Sequence, residues 1–156
     1  MNNLSLIAKA MSYKYNLMSL SKRLEEDDIL SIKTKDDLYY YLQMLLSKVF
    51  WSINSDLVTF KNIKDFNPLL IKQYSALSNK VKDLMDKLDK KTINSFVINA
   101  VLNFHKNFQK ILLNIESNIN NELIRLNHKY EISGIKQFNE AIELIQLIEG
   151  QLVFIQ

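Results

Sequence analysis

The chain reads as all-α: a single domain over 1–156, folded as an antiparallel helical bundle of about five helices. Three observations predict this. Glycine occurs twice and proline once in 156 residues, too few for the tight turns of a strand-rich fold. Apolar residues return every three or four positions through most of the chain, the spacing of a helix with one buried flank. At 156 residues the length suits one domain, which buries roughly 68–70% of its unfolded surface and folds without metal or disulfide.

The first helix is expected over residues 3–23, where Leu4, Ile7, Met11, Tyr15 and Met18 form one stripe. Lys9, Lys14, Lys22 and Arg23 give it a basic tint, but its polar face is mostly Ser and Asn. That suits a bundle helix better than a membrane-surface one. The acidic run Glu25–Asp28 leads to a link around 31–34. Thr34 then caps a second helix, with Asp36 and Asp37 in the first turn where negative charge suits the helix dipole. This helix is expected to run to Ile53 and to stop at Asn54-Ser55-Asp56. Residues 57–66 read as a short helix or a packed loop.

Asn67-Pro68 is a strong start signal, an N-cap followed by proline at the first helical position. Leu70, Tyr74, Leu77, Val81, Leu84 and Leu88 then alternate steps of four and three, a seam for packing against another helix. Lys90-Lys91 is the expected end and Thr92 the next cap. From Val97 to Tyr130 apolar residues keep helical register across the Ser117-Asn118 and Asn120-Asn121 pairs. One long helix near 92–131 is therefore expected, ending at Ser133-Gly134 with Gly134 in the left-handed cap conformation. The last helix carries Phe138, Ala141, Ile145, Ile148, Leu152 and Ile155, and its stripe continues past Gly150.

Composition excludes several chemistries. With no cysteine there is no disulfide, thiolate nucleophile or thiolate-bound metal. Gly134 and Gly150 are too few and too far apart for a phosphate-cradling loop. Neither His105 nor His128 follows a glutamate at the spacing of helical di-metal sites. His105, beside Phe104, reads as a packing residue, and His128 with Glu131 as a solvated helix face. No nucleophile elbow is present. No catalytic, cofactor-binding or metal-ligating residue is assigned, no cofactor or small-molecule substrate is inferred, and a non-enzymatic role is expected. Lys9 and Lys14 break any apolar run in 1–18 and no small-residue cleavage site follows, so no secretory signal is expected. No run approaches the ~18 apolar residues of a membrane span. The expected setting is cytoplasmic, with no membrane contact.

Two surfaces carry the functional expectations. On the second helix, Leu38, Leu42, Leu45, Leu46, Val49, Phe50 and Ile53 share a broad apolar face, while Tyr40, Met44 and Trp51 fall within about 40° of one another on the opposite side. Gln43 and Ser47 border this second stripe on one edge, Lys48 and Ser52 on the other. Such a helix is either central in the bundle or presents one stripe to a partner. Aromatic residues and Met are enriched at interfaces, so Tyr40, Met44 and Trp51 are candidate protein contacts. Phe154 in the apolar tail is a fourth, if the tail does not dock on its own chain.

The second surface is basic. The net charge is only +3, but residues 57–114 carry ten basic groups against four acidic ones. Lys72, Lys80, Lys87 and Lys90 are candidates for contact with a nucleic-acid backbone. Asp83 and Asp86 lie i,i+4 to Lys87 and Lys90 and offset that field. Arg23 and Arg125 are the only arginines, which disfavours base-edge readout. The leading expectation is a protein–protein interaction module: an assembly subunit, adaptor, chaperone or inhibitor that binds another protein or itself. The alternative is a small helical subunit touching a nucleic-acid backbone within a larger ribonucleoprotein or DNA-binding complex.

Overall fold

The computed structural model describes residues 32–89, 93–150 and 152. Among them lie four helices and no strand: α1 (Lys35–Lys61), α2 (Pro68–Lys87), α3 (Ser95–Arg125) and α4 (Gly134–Glu149). Four therefore stand where about five were expected. The helix expected over 3–23 lies outside the described residues, and residues 57–61 belong to α1 rather than forming a separate piece. No helix among the described residues is long and apolar enough to cross a membrane.

The helices pack in a ring. α1 lies against α2 and α4, and α3 completes the ring by touching both. Early α1 meets late α2, where the Gln43 amide donates to the Met85 carbonyl at 3.0 Å. Late α1 meets early α2, where the Tyr74 hydroxyl donates to Asp56 at 2.5 Å. Those pairings set the two helices antiparallel. The core runs through Leu42, Leu46, Val49 and Ile53 of α1, Tyr74 and Val81 of α2, Ile98 and Ile119 of α3, and Phe138 and Ile145 of α4. Each such side chain contributes roughly 1.5–3 kcal/mol by leaving water.

Local chemistry fixes the boundaries. Thr34 caps α1 as expected: its hydroxyl accepts from the Asp37 amide at 3.1 Å, and the Asp37 carboxylate accepts from the Thr34 amide at 3.3 Å. Asn67 caps α2 through the Leu69 amide at 3.0 Å, ahead of Pro68. α2 ends at Lys87, and Lys90, Lys91 and the expected cap Thr92 lie outside the described residues. Asn94 caps α3 through the Val97 amide at 3.2 Å.

Three expected boundaries are corrected. α1 does not stop at Asn54-Ser55-Asp56 but runs on to Lys61. The Asn54 amide donates to the Phe50 carbonyl at 2.7 Å and to the Ser78 hydroxyl of α2 at 3.0 Å, so its polar group serves the helix and a neighbour. The long helix is continuous through the Asn cluster but shorter than 92–131. It ends at Arg125, where Asn127 takes the left-handed conformation (φ 52°). The His128 amide bonds the Leu123 carbonyl at 2.9 Å and the Asn127 amide bonds that of Ile124 at 3.0 Å, the paired bonds of a Schellman stop. Gly134 is therefore not the cap of that helix. It is the first residue of α4, without positive φ. The stripe expected to continue past Gly150 reaches residues mostly outside the described set; α4 itself ends at Glu149.

Gly134 is needed for space. A Cβ there would lie 2.9 Å from the Ile53 backbone Cα and closer still to the Tyr74 hydroxyl. Only glycine lets the start of α4 press against α1 at this point.

Candidate functional site

α1 has two apolar flanks, and they have different fates. One is the core. The other turns outward, with Tyr40 at 51% and Trp51 at 55% exposure. Met44, between them along the helix, is half-buried and touches the core cluster. Because α1 continues past Ile53, the stripe gains a member that sequence reasoning placed outside the helix. Val58, 61% exposed, stands about five turns beyond Tyr40 at the same angular position. From Tyr40 to Val58 the stripe covers about 27 Å at ~1.5 Å per residue.

Both exposed rings rest on half-buried neighbours. Tyr40 meets the edge of Tyr39 at 5.6 Å between centroids, and Trp51 meets Phe50 at 5.9 Å, both near perpendicular. Edge-to-face pairs of this kind restrain the rings at little entropic cost. On the flank toward α4, a small cavity of about 150 Å³ is lined by Leu45, Lys48, Gln137 and Glu140 among others. Partial burial pulls the Lys48 ammonium below the ordinary lysine pKa, against the opposing pull of Glu140.

The basic candidates do not assemble into one clean track. Lys72, Lys80 and Lys87 are all exposed on the outer side of α2. At about 100° per residue, Asp83 falls among them and Asp86 beside Lys72. Lys80 is engaged across the helix interface, its ammonium 4.7 Å from the centre of the Phe108 ring on α3. Lys90 and Phe154 lie outside the described residues.

Sequence reasoning missed the most concentrated polar site altogether. Asp56 of α1 is fully buried. Its carboxylate accepts from the hydroxyls of Tyr74 at 2.5 Å, Tyr130 at 2.6 Å and Ser133 at 2.9 Å. It also accepts from the backbone amides of Ser133 at 3.1 Å and Gly134 at 2.7 Å. Ser133, the N-cap of α4, makes no side-chain cap bond of its own; a carboxylate from another helix does that work. The first amides of a helix need acceptors, and negative charge there suits the dipole. Burial, with the Asp56 charge and hydrogen bond, pushes the Tyr74 phenol well above its ordinary pKa. Burial and the bond to Asp56 push Tyr130 up to about 12. Two phenols and a carboxylate resemble acid–base machinery, but Asp56 and Tyr74 have no exposed surface. The cluster ties α1, α2 and the start of α4 together.

A second clasp joins α3 to the link between α1 and α2. The buried Glu122 carboxylate accepts from the Asn67 amide at 2.6 Å and from Arg125 Nε at 2.5 Å, while Arg125 donates to the Asp65 carbonyl at 3.2 Å. The hydrogen bond from Arg125 draws Glu122 below the ordinary carboxylate pKa, with the Asn67 amide adding to the effect against burial. His105 is buried as a packing residue. Its ring meets Phe138 at 5.1 Å and Nε2 lies 2.8 Å from Asn139 Oδ1.

The groove between α3 and α4 holds open cavities of about 560 and 460 Å³. Glu116, Glu131, Glu140 and Glu143 border the larger, with Lys136. Among the described residues no His, Asp or Glu side chains gather in a group that could hold a metal ion. Comparison with known family models, with curated proteins and with solved structures finds no match for this chain.

Proposed function

We propose that this chain is a non-enzymatic protein–protein interaction module, acting as an assembly subunit, adaptor, chaperone or inhibitor, and that the outer face of α1 is its contact surface. The carrying observation is the solvent-facing stripe of Tyr40 and Trp51, with Met44 at its base and Val58 extending it. Exposed aromatic side chains held by neighbouring rings make good anchors, because little rotamer freedom remains to be lost on binding. The polar clusters inside the bundle have their hydrogen bonds spent on joining helices, which leaves the surface as the place for function.

The test is the double variant Tyr40→Ala/Trp51→Ala in the full chain. Self-association, followed by sedimentation, or binding of a partner recovered from the native host is expected to weaken at least tenfold, about 1.4 kcal/mol. The thermal midpoint is expected to stay near that of the wild type. A variant that loses several degrees of stability while keeping its associations would make the stripe part of the core and end this reading.

The alternative reading, a nucleic-acid-backbone contact through Lys72, Lys80, Lys87 and Lys90, draws support from the exposure of the first three. The interleaved Asp83 and Asp86 weaken it. It requires binding to DNA or RNA at low salt that falls steeply as salt rises.

A further inference from the structure

α3 is held unevenly along its length. Its second half buries Leu112, Ile115, Ile119 and Leu123, and the Glu122 and Arg125 clasp fastens it to the link between α1 and α2. Its first half, 95–111, buries Ile98, Val101 and His105 alone. From Leu102 to Ile111, nearly three turns at ~3.6 residues per turn, His105 is the one buried side chain. A cavity of about 460 Å³ opens between this stretch and α4, lined by His105 and Gln109 on one side and Asn139 and Ile142 on the other.

The contacts that join the first half to the bundle are polar or lie near the surface. His105 Nε2 meets Asn139 Oδ1 at 2.8 Å, and Asn139 is itself exposed, so water competes for that bond. The Phe104 and His105 rings rest on Phe138, and Lys80 reaches the Phe108 ring. Phe96, in the first turn, is 79% exposed and adds nothing to the core. Sparse apolar burial and backbone hydrogen bonds close to water mark a segment that opens before its neighbours.

Intrinsic preference points the same way. In 95–111 the strong helix formers are Ala100, Leu102, Lys106, Gln109 and Lys110. The remaining positions hold β-branched or aromatic residues, Asn, Ser and His, which keep a helix weakly without tertiary support. Strong formers fill more than half of α4. A helical stretch of this length is marginal by itself, so residues leaving α4 unwind rather than swing out as a rod.

We propose that residues 95–111 are a strap that opens locally, fraying from the Asn94 cap, while α1, α2, α4 and the second half of α3 stay assembled. Opening uncovers Phe138 and Ile142 of α4, both buried in the closed form. The strap thus gates an apolar face inside the bundle. It is separate from the contact surface on α1, and either can exist without the other.

Native-state hydrogen exchange of the full chain, read by mass spectrometry, supplies the first test. Amides of 98–111 are expected to exchange about a hundredfold or more faster than the core amides of α1 and α4. Below the main transition their rates barely respond to urea, because local opening exposes little surface, whereas the core amides speed up steeply. A variant outside the strap separates local from global opening. Asp56→Asn weakens the junction of α1, α2 and α4. It is expected to speed the core amides about tenfold or more and to leave 98–111 unchanged.

The second test reads the covered face directly. The chain has no cysteine, so Ile142→Cys supplies one thiol under the strap and Val49→Cys one in the core of α1. The thiol at 142 is expected to react with a maleimide about a hundredfold or more faster than the thiol at 49. Adding Asn99→Ala/Asn103→Ala/Asn107→Ala, all at exposed positions, raises helix preference and is expected to slow labelling at 142 about tenfold. Protection of 98–111 equal to that of the α1 and α4 cores overturns the proposal. So does an equal effect of Asp56→Asn on both sets of amides, or a thiol at 142 that reacts no faster than one at 49.

Discussion

Removing the Asp56 side chain tests how far one buried carboxylate holds three helices in place. In Asp56→Ala, five donor contacts lose their acceptor. The half-buried hydroxyls of Tyr130 and Ser133 have routes to water. The Tyr74 hydroxyl and the Gly134 amide are buried and do not. Hydrogen bonds to a charged acceptor are worth about 1.5–3 kcal/mol each, so the two buried donors alone imply a loss of about 3–6 kcal/mol. Water entering the vacated space brings the loss toward the lower figure. Against a typical stability of about 5–15 kcal/mol, the variant is close to unfolding. Asp56→Asn keeps the volume and one strong acceptor while turning an NH₂ toward the donors, and is expected to lose about half as much.

Urea unfolding followed by circular dichroism gives the measurement. With a slope near 2 kcal/mol per molar, a 3 kcal/mol loss lowers the midpoint by about 1.5 M. A cycle of Asp56→Asn with Tyr74→Phe is expected to give a coupling energy of about 0.5–3 kcal/mol, since the two groups are in contact. Asp56→Ala within about 1 kcal/mol of the wild type would refute this reasoning. So would Asp56→Asn matching or exceeding the loss in Asp56→Ala.

Two further expectations come from the same junction. Gly134→Ala places a methyl against the Ile53 backbone and the Tyr74 hydroxyl and is expected to cost about 3 kcal/mol or more in urea unfolding. Gly150→Ala, whose nearest neighbour is 3.4 Å away, stays within about 0.5 kcal/mol of the wild type. Stability is also expected to fall in alkali. Tyr130 is raised to about 12 and Tyr74 is raised further, so between about pH 10 and 12 the unfolded state gives up phenolic protons that the native state keeps. The phenols contribute no change in the urea midpoint from neutral pH to about 10 and lower it above that, and Tyr130→Phe makes that drop shallower; a midpoint level between about pH 10 and 12 would contradict the buried network.

The pattern of success and failure in reading this chain follows the range of the forces involved. Thr34 and Asn67 were legible because a cap and its amide lie two or three residues apart. The seam of Leu70, Tyr74, Leu77 and Val81 was legible because a helix turns its own periodicity into one buried flank. Continuity of α3 through the Asn cluster was legible for the same reason. Asn54 and Asp56 were misread as a stop signal because their partners, Ser78, Tyr74, Tyr130, Ser133 and Gly134, lie on other elements 18 to 78 positions away. A polar residue in a helical stretch looks the same in sequence whether it ends the helix or bonds to a distant one. Gly134 was misread in the same way: its small size matters because Ile53 and Tyr74 press on it, whereas a local reading sees only a glycine that ends helices. Asn127 is one asparagine among many and carries no local mark of its left-handed backbone. The outward stripe falls between these cases. Periodicity separates Tyr40 and Trp51 from Leu42 and Val49, but which flank turns inward depends on what α2 and α4 bring against it. Their contacts to Leu42, Leu46 and Ile53 decide that, and the two aromatic rings are left outside because the ring of helices closes on the opposite side of α1.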